Sequence, residues 1–341
     1  MTHEQSRQTK EAGSALRIST TRTNGPAIKA ALMNRLLQAG HGEVAGEVGR
    51  CSTRPLRGAA VAVHLRQDGH RHTTGLNHCK RMLCPICGPY LINKRIGAIK
   101  EVVEHLQAED GLLHFLLTFS VRHDATTPWH KSANALTEMR RSTRRLRSWR
   151  KGVVGSFRVL ESTYSSNGHH VHEHTLITVQ PPQGWEPGRF FEQVEEACQR
   201  AAWLTGMTCA FQPGWWVPIP AHDLLHAVTY FASAEKWGQV DHHGDAGHAA
   251  TWEMPADAFT EVWRESKGVR WFDASGCWKI KHQAEKLGSG APGATAEAEI
   301  VVGHIPASVW TAWSPAERRE RLALIYNARV PLPALMEMAL G

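Results

Sequence analysis

No run in the chain is long and apolar enough to span a bilayer, and the polar first residues lack the hydrophobic centre of a signal peptide. Both absences lead to the expectation of a cytoplasmic protein with no membrane partner. Paired cysteines are missing as well: there are seven, an odd number, and Cys79, Cys84 and Cys87 crowd together. That usage argues against a secreted disulfide framework and for metal ligation in a reducing compartment. Tyrosine is scarce, with four residues against 13 Trp and 9 Phe. Acidic residues are absent from Arg140 to Lys151, a stretch carrying Arg140, Arg141, Arg144, Arg145, Arg147, Arg150 and Lys151.

The 341 residues have room for about two domains. A formal charge of +7 favours an anionic partner, and the acid-free stretch supplies the clustering that net charge lacks. That stretch reads as helical from Trp129 to Lys151. Spacings of three and four place Arg140, Arg144 and Arg147 on one stripe with Arg141 and Arg145 beside it, a pattern suited to phosphate contact.

Residues 1–45 read as a flexible, basic arm with one short helical stretch. Residues 46–100 hold four of the seven cysteines. Cys84-Pro85-Ile86-Cys87-Gly88 is the tight turn from which tetrahedral zinc takes two thiolates, with Cys79 a third. Cys51 is the choice for the fourth ligand, with His70, His72 and His78 as rivals. A zinc ion so enclosed is structural, with no open position for chemistry. After a helix carrying Ile92, Ile96, Ile99, Val103 and Leu106 on one face, Leu113 to Val121 forms a continuous apolar strand.

His170-Val171-His172-Glu173-His174 follows the turn signal Asn167-Gly168. Side chains alternate across a strand, so His170, His172 and His174 share one face as a platform for a metal. The preceding strand, Val153 to Ser162, completes a hairpin. With Asn167 and Gly168 central in a type I′ turn, Glu161 faces His174 across the ladder and becomes a candidate third ligand. Further on, spacing predicts a helix over Ala221 to Trp237 in which Tyr230 shares a face with His226 and Ser233. Leu287 to Ala294 reads as a linker, and Ser314-Pro315 opens a helix in the tail.

In motif order, the chain from about Cys51 to Trp278 resembles the rolling-circle replication initiators of plasmids, the actinobacterial type of Rep protein within the HUH endonuclease superfamily. The resemblance is carried by the cysteine knuckle, the strand with Leu117-Thr118, the block from Glu161-Ser162-Thr163 to His174, and Tyr230 in a helix. It implies an α+β fold: a central antiparallel sheet flanked by helices over residues 101–240, with the zinc knuckle before it and a mainly helical extension over 241–341. It further implies that His172 and His174, with an acidic or polar third ligand, bind Mg2+ or Mn2+, and that Tyr230 attacks DNA. The implied partners are plasmid origin DNA, single-stranded or cruciform, and a host helicase and polymerase. Two positions depart from the family pattern. Glu173 stands where a hydrophobic residue is usual, which keeps His170 in play as a ligand. Ser233 stands where the family has a lysine, leaving Lys236 as the nearest substitute. A relaxase or single-strand transposase would use the same chemistry. A zinc-dependent DNA-binding protein without catalysis is the alternative of a different class.

Overall fold

The computed structural model describes residues 25–56, 59–65, 71–231, 251–279 and 300–326. In chain order the first elements are α1 (Gly25–Gln38), α2 (Gly42–Arg50), β1 (Val61–Leu65), β2 (Arg71–Thr74), α3 (Cys87–Gln107) and β3 (Leu113–Ser120). Then come α4 (Trp129–Arg145), α5 (Arg147–Gly152), β4 (Val153–Ser165), β5 (Gly168–Val179), α6 (Pro187–Leu204), β6 (Trp216–Ile219) and α7 (Leu224–Phe231). The last are α8 (Ala256–Glu265), β7 (Phe272–Gly276), β8 (Ile300–Ile305), α9 (Ala307–Ala312) and α10 (Pro315–Tyr326).

The fold is mixed α+β with two antiparallel sheets, ordered β2-β1-β8 and β6-β3-β5-β4-β7. The chain divides into two compact units: residues up to Lys94 together with those from Glu285 onward, and Arg95–Ala284. This division corrects the expected boundaries at both ends. The supposed arm contains α1 and part of α2, whose Leu32, Leu36, Val44 and Val48 are buried, because their spacing of four makes an apolar stripe. Residues 1–24 lie outside the described residues. The supposed C-terminal extension splits: α8 and β7 belong to the five-stranded unit, while β8, α9 and α10 belong to the other. There β8 pairs with β1, and Val61, Val63, Leu76, Ile305, Trp310 and Ile325 form one core. The linker expected at Leu287 to Ala294 lies outside the described residues.

In the five-stranded unit, β5 occupies the middle, between β3 and β4. Phe115, Leu117 and Phe119 of β3 are buried on one face, where Phe115 meets Phe191 of α6 at a ring separation of 5.1 Å. Burying each such side chain contributes about 1.5–3 kcal/mol. Thr175 and Glu173 of β5 lie opposite Leu117 and Phe119, and Glu173 binds Arg140 of α4, so α4 and α6 cover that face. Alternation then places His170, His172 and His174 on the other face.

The β4–β5 turn differs from the expected one. Ser165 pairs with Gly168, leaving Ser166 and Asn167 between them, and Gly168 is the turn residue with positive φ, +86°. Neither Ser166 nor Asn167 has the positive φ that type I′ requires, so the turn is not of that type. A side chain at Gly168 would also put Cβ 2.7 Å from the Asp124 carbonyl oxygen. The register slips by two residues, so Glu161 lies opposite His172 instead of His174. A shift of two, unlike a shift of one, keeps every side chain on its face.

Candidate metal centres

The first centre forms where the end of α2 meets the start of α3. Cys84 and Cys87 sit on one turn, closed by the Gly88 amide donating to the Cys84 carbonyl at 2.8 Å. Cys79 approaches from the preceding loop, where Lys80 adopts a φ of +55°. Cys51 follows α2 directly. The four sulfurs lie within 4.8 Å of one another, with Cys51 and Cys87 3.4 Å apart. Of the rivals, His70 lies outside the described residues, and His78 stands behind the cluster, its Nδ1 3.8 Å from Cys87 Sγ and 3.2 Å from Ser52 Oγ. Contact with Cys79, Cys84 and Cys87 pulls the Cys51 thiol far down, while contact with Cys51, Cys79 and Cys87 pushes Cys84 up. Sulfurs so crowded cannot all ionise without a cation, and four thiolates on one point are the donor set that zinc takes. The buried Lys29 donates to the carbonyls of Gly49, at 3.0 Å, and of Cys51, fixing the backbone of that ligand. The cluster could therefore bind zinc.

The second centre lies on the face of the five-stranded sheet away from α4 and α6. Glu161 Oε2 is 2.9 Å from His172 Nε2 and 3.6 Å from His174 Nε2. Burial pushes the Glu161 carboxyl up, but the charge of His174 and hydrogen bonds from His172 and His174 outweigh it and hold the group well below the usual carboxylate range. Two imidazole nitrogens converging on one carboxylate oxygen suit a cation. Ligands about 2.1 Å from an octahedral ion stand about 3 Å from each other, close to these separations. The two histidine side chains are 14% exposed, which leaves the group open to a ligand from solvent.

Residues to which the sequence assigned no role hold this group in place. Thr118, on β3 opposite His174, has its Oγ1 3.0 Å from His174 Nδ1, which directs the other ring nitrogen to Glu161. His170 stands next along the ladder, its ring 5.0 Å from that of His172, but it falls outside the three-residue group. Its Nδ1 is 3.0 Å from His123 Nε2, and His123 Nδ1 is 3.0 Å from the Asn167 carbonyl oxygen. A carbonyl only accepts, so His123 donates from Nδ1 to Asn167, which turns its Nε2 toward His170. Contacts between residues so far apart in sequence leave no local signal.

Tyr230 lies near the end of α7 and is 44% exposed, on the same side as the exposed His226 four residues earlier. The helix follows β6, separated from the histidine strand by β3 in the sheet order. Ser233, Glu235 and Lys236 lie outside the described residues. The arginine stripe divides. The helix breaks at Leu146, which puts Arg147 on α5. Arg140 and Arg144 turn toward the sheet, Arg140 to Glu173 at 2.9 Å and Arg144 to Ser156 and Ser275 at 3.3 and 3.2 Å. Arg141, Arg145, Arg147 and Lys151 are exposed. The acids that the local sequence lacks thus arrive from β5 and β7, through Glu173 and Asp273. Comparisons with protein family models, curated proteins and solved structures find no match for the chain.

Proposed function

We propose that the chain is a plasmid replication initiator of the HUH type, which nicks one DNA strand at the origin and retains the 5′ end on Tyr230. The observation that supports this reading best is the convergence of Glu161, His172 and His174 on one sheet face. In this reading these three side chains hold Mg2+ or Mn2+, with Thr118 orienting His174. The bound ion supplies charge stabilisation at the scissile phosphate. The Tyr230 oxygen attacks phosphorus, the bond to the 3′ oxygen breaks, and the leaving oxygen takes up a proton to become the 3′-hydroxyl that primes synthesis. A phenol with an ordinary pKa near 10 is protonated at neutral pH, so it must lose its proton to a neighbour. His226, one helical turn away, is the described candidate. The phosphotyrosine keeps the free energy of the phosphodiester, which permits rejoining. Exposed Arg141, Arg145, Arg147 and Lys151 would contact the DNA backbone, with helicase and polymerase recruited to the opened strand.

The test is incubation of the purified chain with Mn2+ and a supercoiled plasmid carrying the replicon that encodes it. Wild type is expected to give open circles and a covalent protein–DNA adduct, and Tyr230→Phe neither. Absence of both products from wild type, or nicking by the Phe variant at the wild-type rate, refutes the proposal. DNA binding without cleavage would favour the non-catalytic alternative, in which the three ligands hold a structural ion.

A further inference from the structure

We propose that the five-stranded unit carries a second ligand site, for a phosphoryl group, in a cleft on the sheet face opposite the histidines. The cleft has a volume of about 440 Å³, and its walls include Arg140, Arg141, Arg144, Arg158 and Arg270. Volumes of this order are those of small-molecule sites.

Its charges do not cancel. Five guanidinium groups face three carboxylates, those of Glu173, Glu265 and Asp273. Glu173 is saturated: its Oε2 accepts from Arg140 at 2.9 Å and Arg158 at 3.0 Å, and its Oε1 accepts from Thr175 at 3.1 Å. Glu265 is spent on α4, taking the His130 amide at 2.9 Å and meeting the His130 ring at 2.8 Å. Asp273 is shared among three guanidinium groups: Arg144, Arg158 and Arg270 form ion pairs with its oxygens at 3.8, 3.7 and 3.8 Å, longer than hydrogen bonds, while Arg141 pairs with Glu138 of its own helix.

The buried donor points the same way. The Arg158 side chain is 5% exposed, and its Nε is buried with no hydrogen-bond partner. Its ion-pair partner, Asp273 Oδ2, is 3.7 Å away, too far for a hydrogen bond, so Asp273 neutralises this guanidinium only weakly. Arg270, 79% exposed, and Arg144 also line the cleft. Several guanidinium groups around a small volume match an anion with several oxygens, and phosphate is the group that Arg recognises in this way. The site is independent of the nicking reaction, because alternation sets Glu173 and Arg158 on the face away from His172 and His174.

The test is calorimetric titration of the full chain, without added divalent cations and at constant ionic strength, with inorganic phosphate, a 5′-deoxynucleoside monophosphate and, as control, chloride. Saturable binding of one phosphate per chain is expected. Arg270→Ala and Arg144→Gln should each weaken it at least fivefold, while Lys100→Ala, outside the cleft, binds as wild type. A nucleotide that binds more tightly than inorganic phosphate would identify a nucleotide as the source, and equal affinities would identify free phosphate; either supports the site. Absence of saturable binding, or an Arg270→Ala protein with wild-type affinity, overturns it. Nicking activity plays no part in the readout, so failure here is distinct from failure of the Tyr230 reaction.

Discussion

Glu173 lies between His172 and His174 in sequence and opposite to them in space. Its carboxylate accepts from Arg140, Arg158 and Thr175, so the acid that breaks the expected hydrophobic position is a buried anchor for α4 and β4. The same alternation that made the histidine platform legible accounts for this inversion, which the expectations from sequence did not include. Glu161 was legible for a related reason: an error of two in the hairpin register left it on the correct face, and only its opposite partner changed. Thr118 was not legible as a positioning residue, because its contact with His174 spans 56 positions. Thr118→Val, which keeps the shape and removes the hydroxyl, should weaken Mn2+ binding about 10-fold or more, the usual effect of losing a partner that orients a ligand. Mn2+ titration followed by electron paramagnetic resonance measures it. Unchanged affinity would show that Thr118 does not position the ring.

At the scale of elements, the N-terminus of α4 shows what local patterns leave out. It has Pro128 before it, no acid in its first turn and no side-chain cap of its own. Its orphan amides are served from α8: Glu261 accepts from the Trp129 amide at 2.7 Å, and Glu265 from the His130 amide at 2.9 Å. Carboxylates here also meet the positive end of the helix dipole. The helices were readable from their periodicity, whereas these caps depend on partners more than a hundred residues away. Glu265→Ala should cost about 1 kcal/mol of stability, as loss of a cap does. Glu261→Ala should cost more, about 2 kcal/mol, since Glu261 also meets buried His169 at 3.1 Å and its loss strands that ring. Urea unfolding followed by far-ultraviolet circular dichroism gives both values. Equal stability of Glu261→Ala and wild type would remove α8 as the cap.

At the scale of the molecule, the four cysteines and the antiparallel α+β character were legible, but the division into units was not. Hydrophobic periodicity identifies strands without saying which distant strand completes a sheet. Here β8 returns to β1, and the Trp310 indole donates to the Thr53 carbonyl at 2.9 Å, closing a unit from two ends of the chain. Trp310 and Trp278 are completely buried. A three-stranded sheet with so small a core needs reinforcement, and structural zinc supplies about 10–16 kcal/mol where folding and binding are linked. Stripping zinc from the full chain with a strong chelator should therefore raise amide exchange in α1, α2, β1, β2, β8 and α10, while β3, β4 and β5 keep their protection. Cys84→Ser should reproduce that pattern without chelator, separating loss of the cysteine site from removal of an ion at His172 and His174. Protection that persists in β1 and β8 after either treatment would mean that the four cysteines do not hold this unit together through a metal.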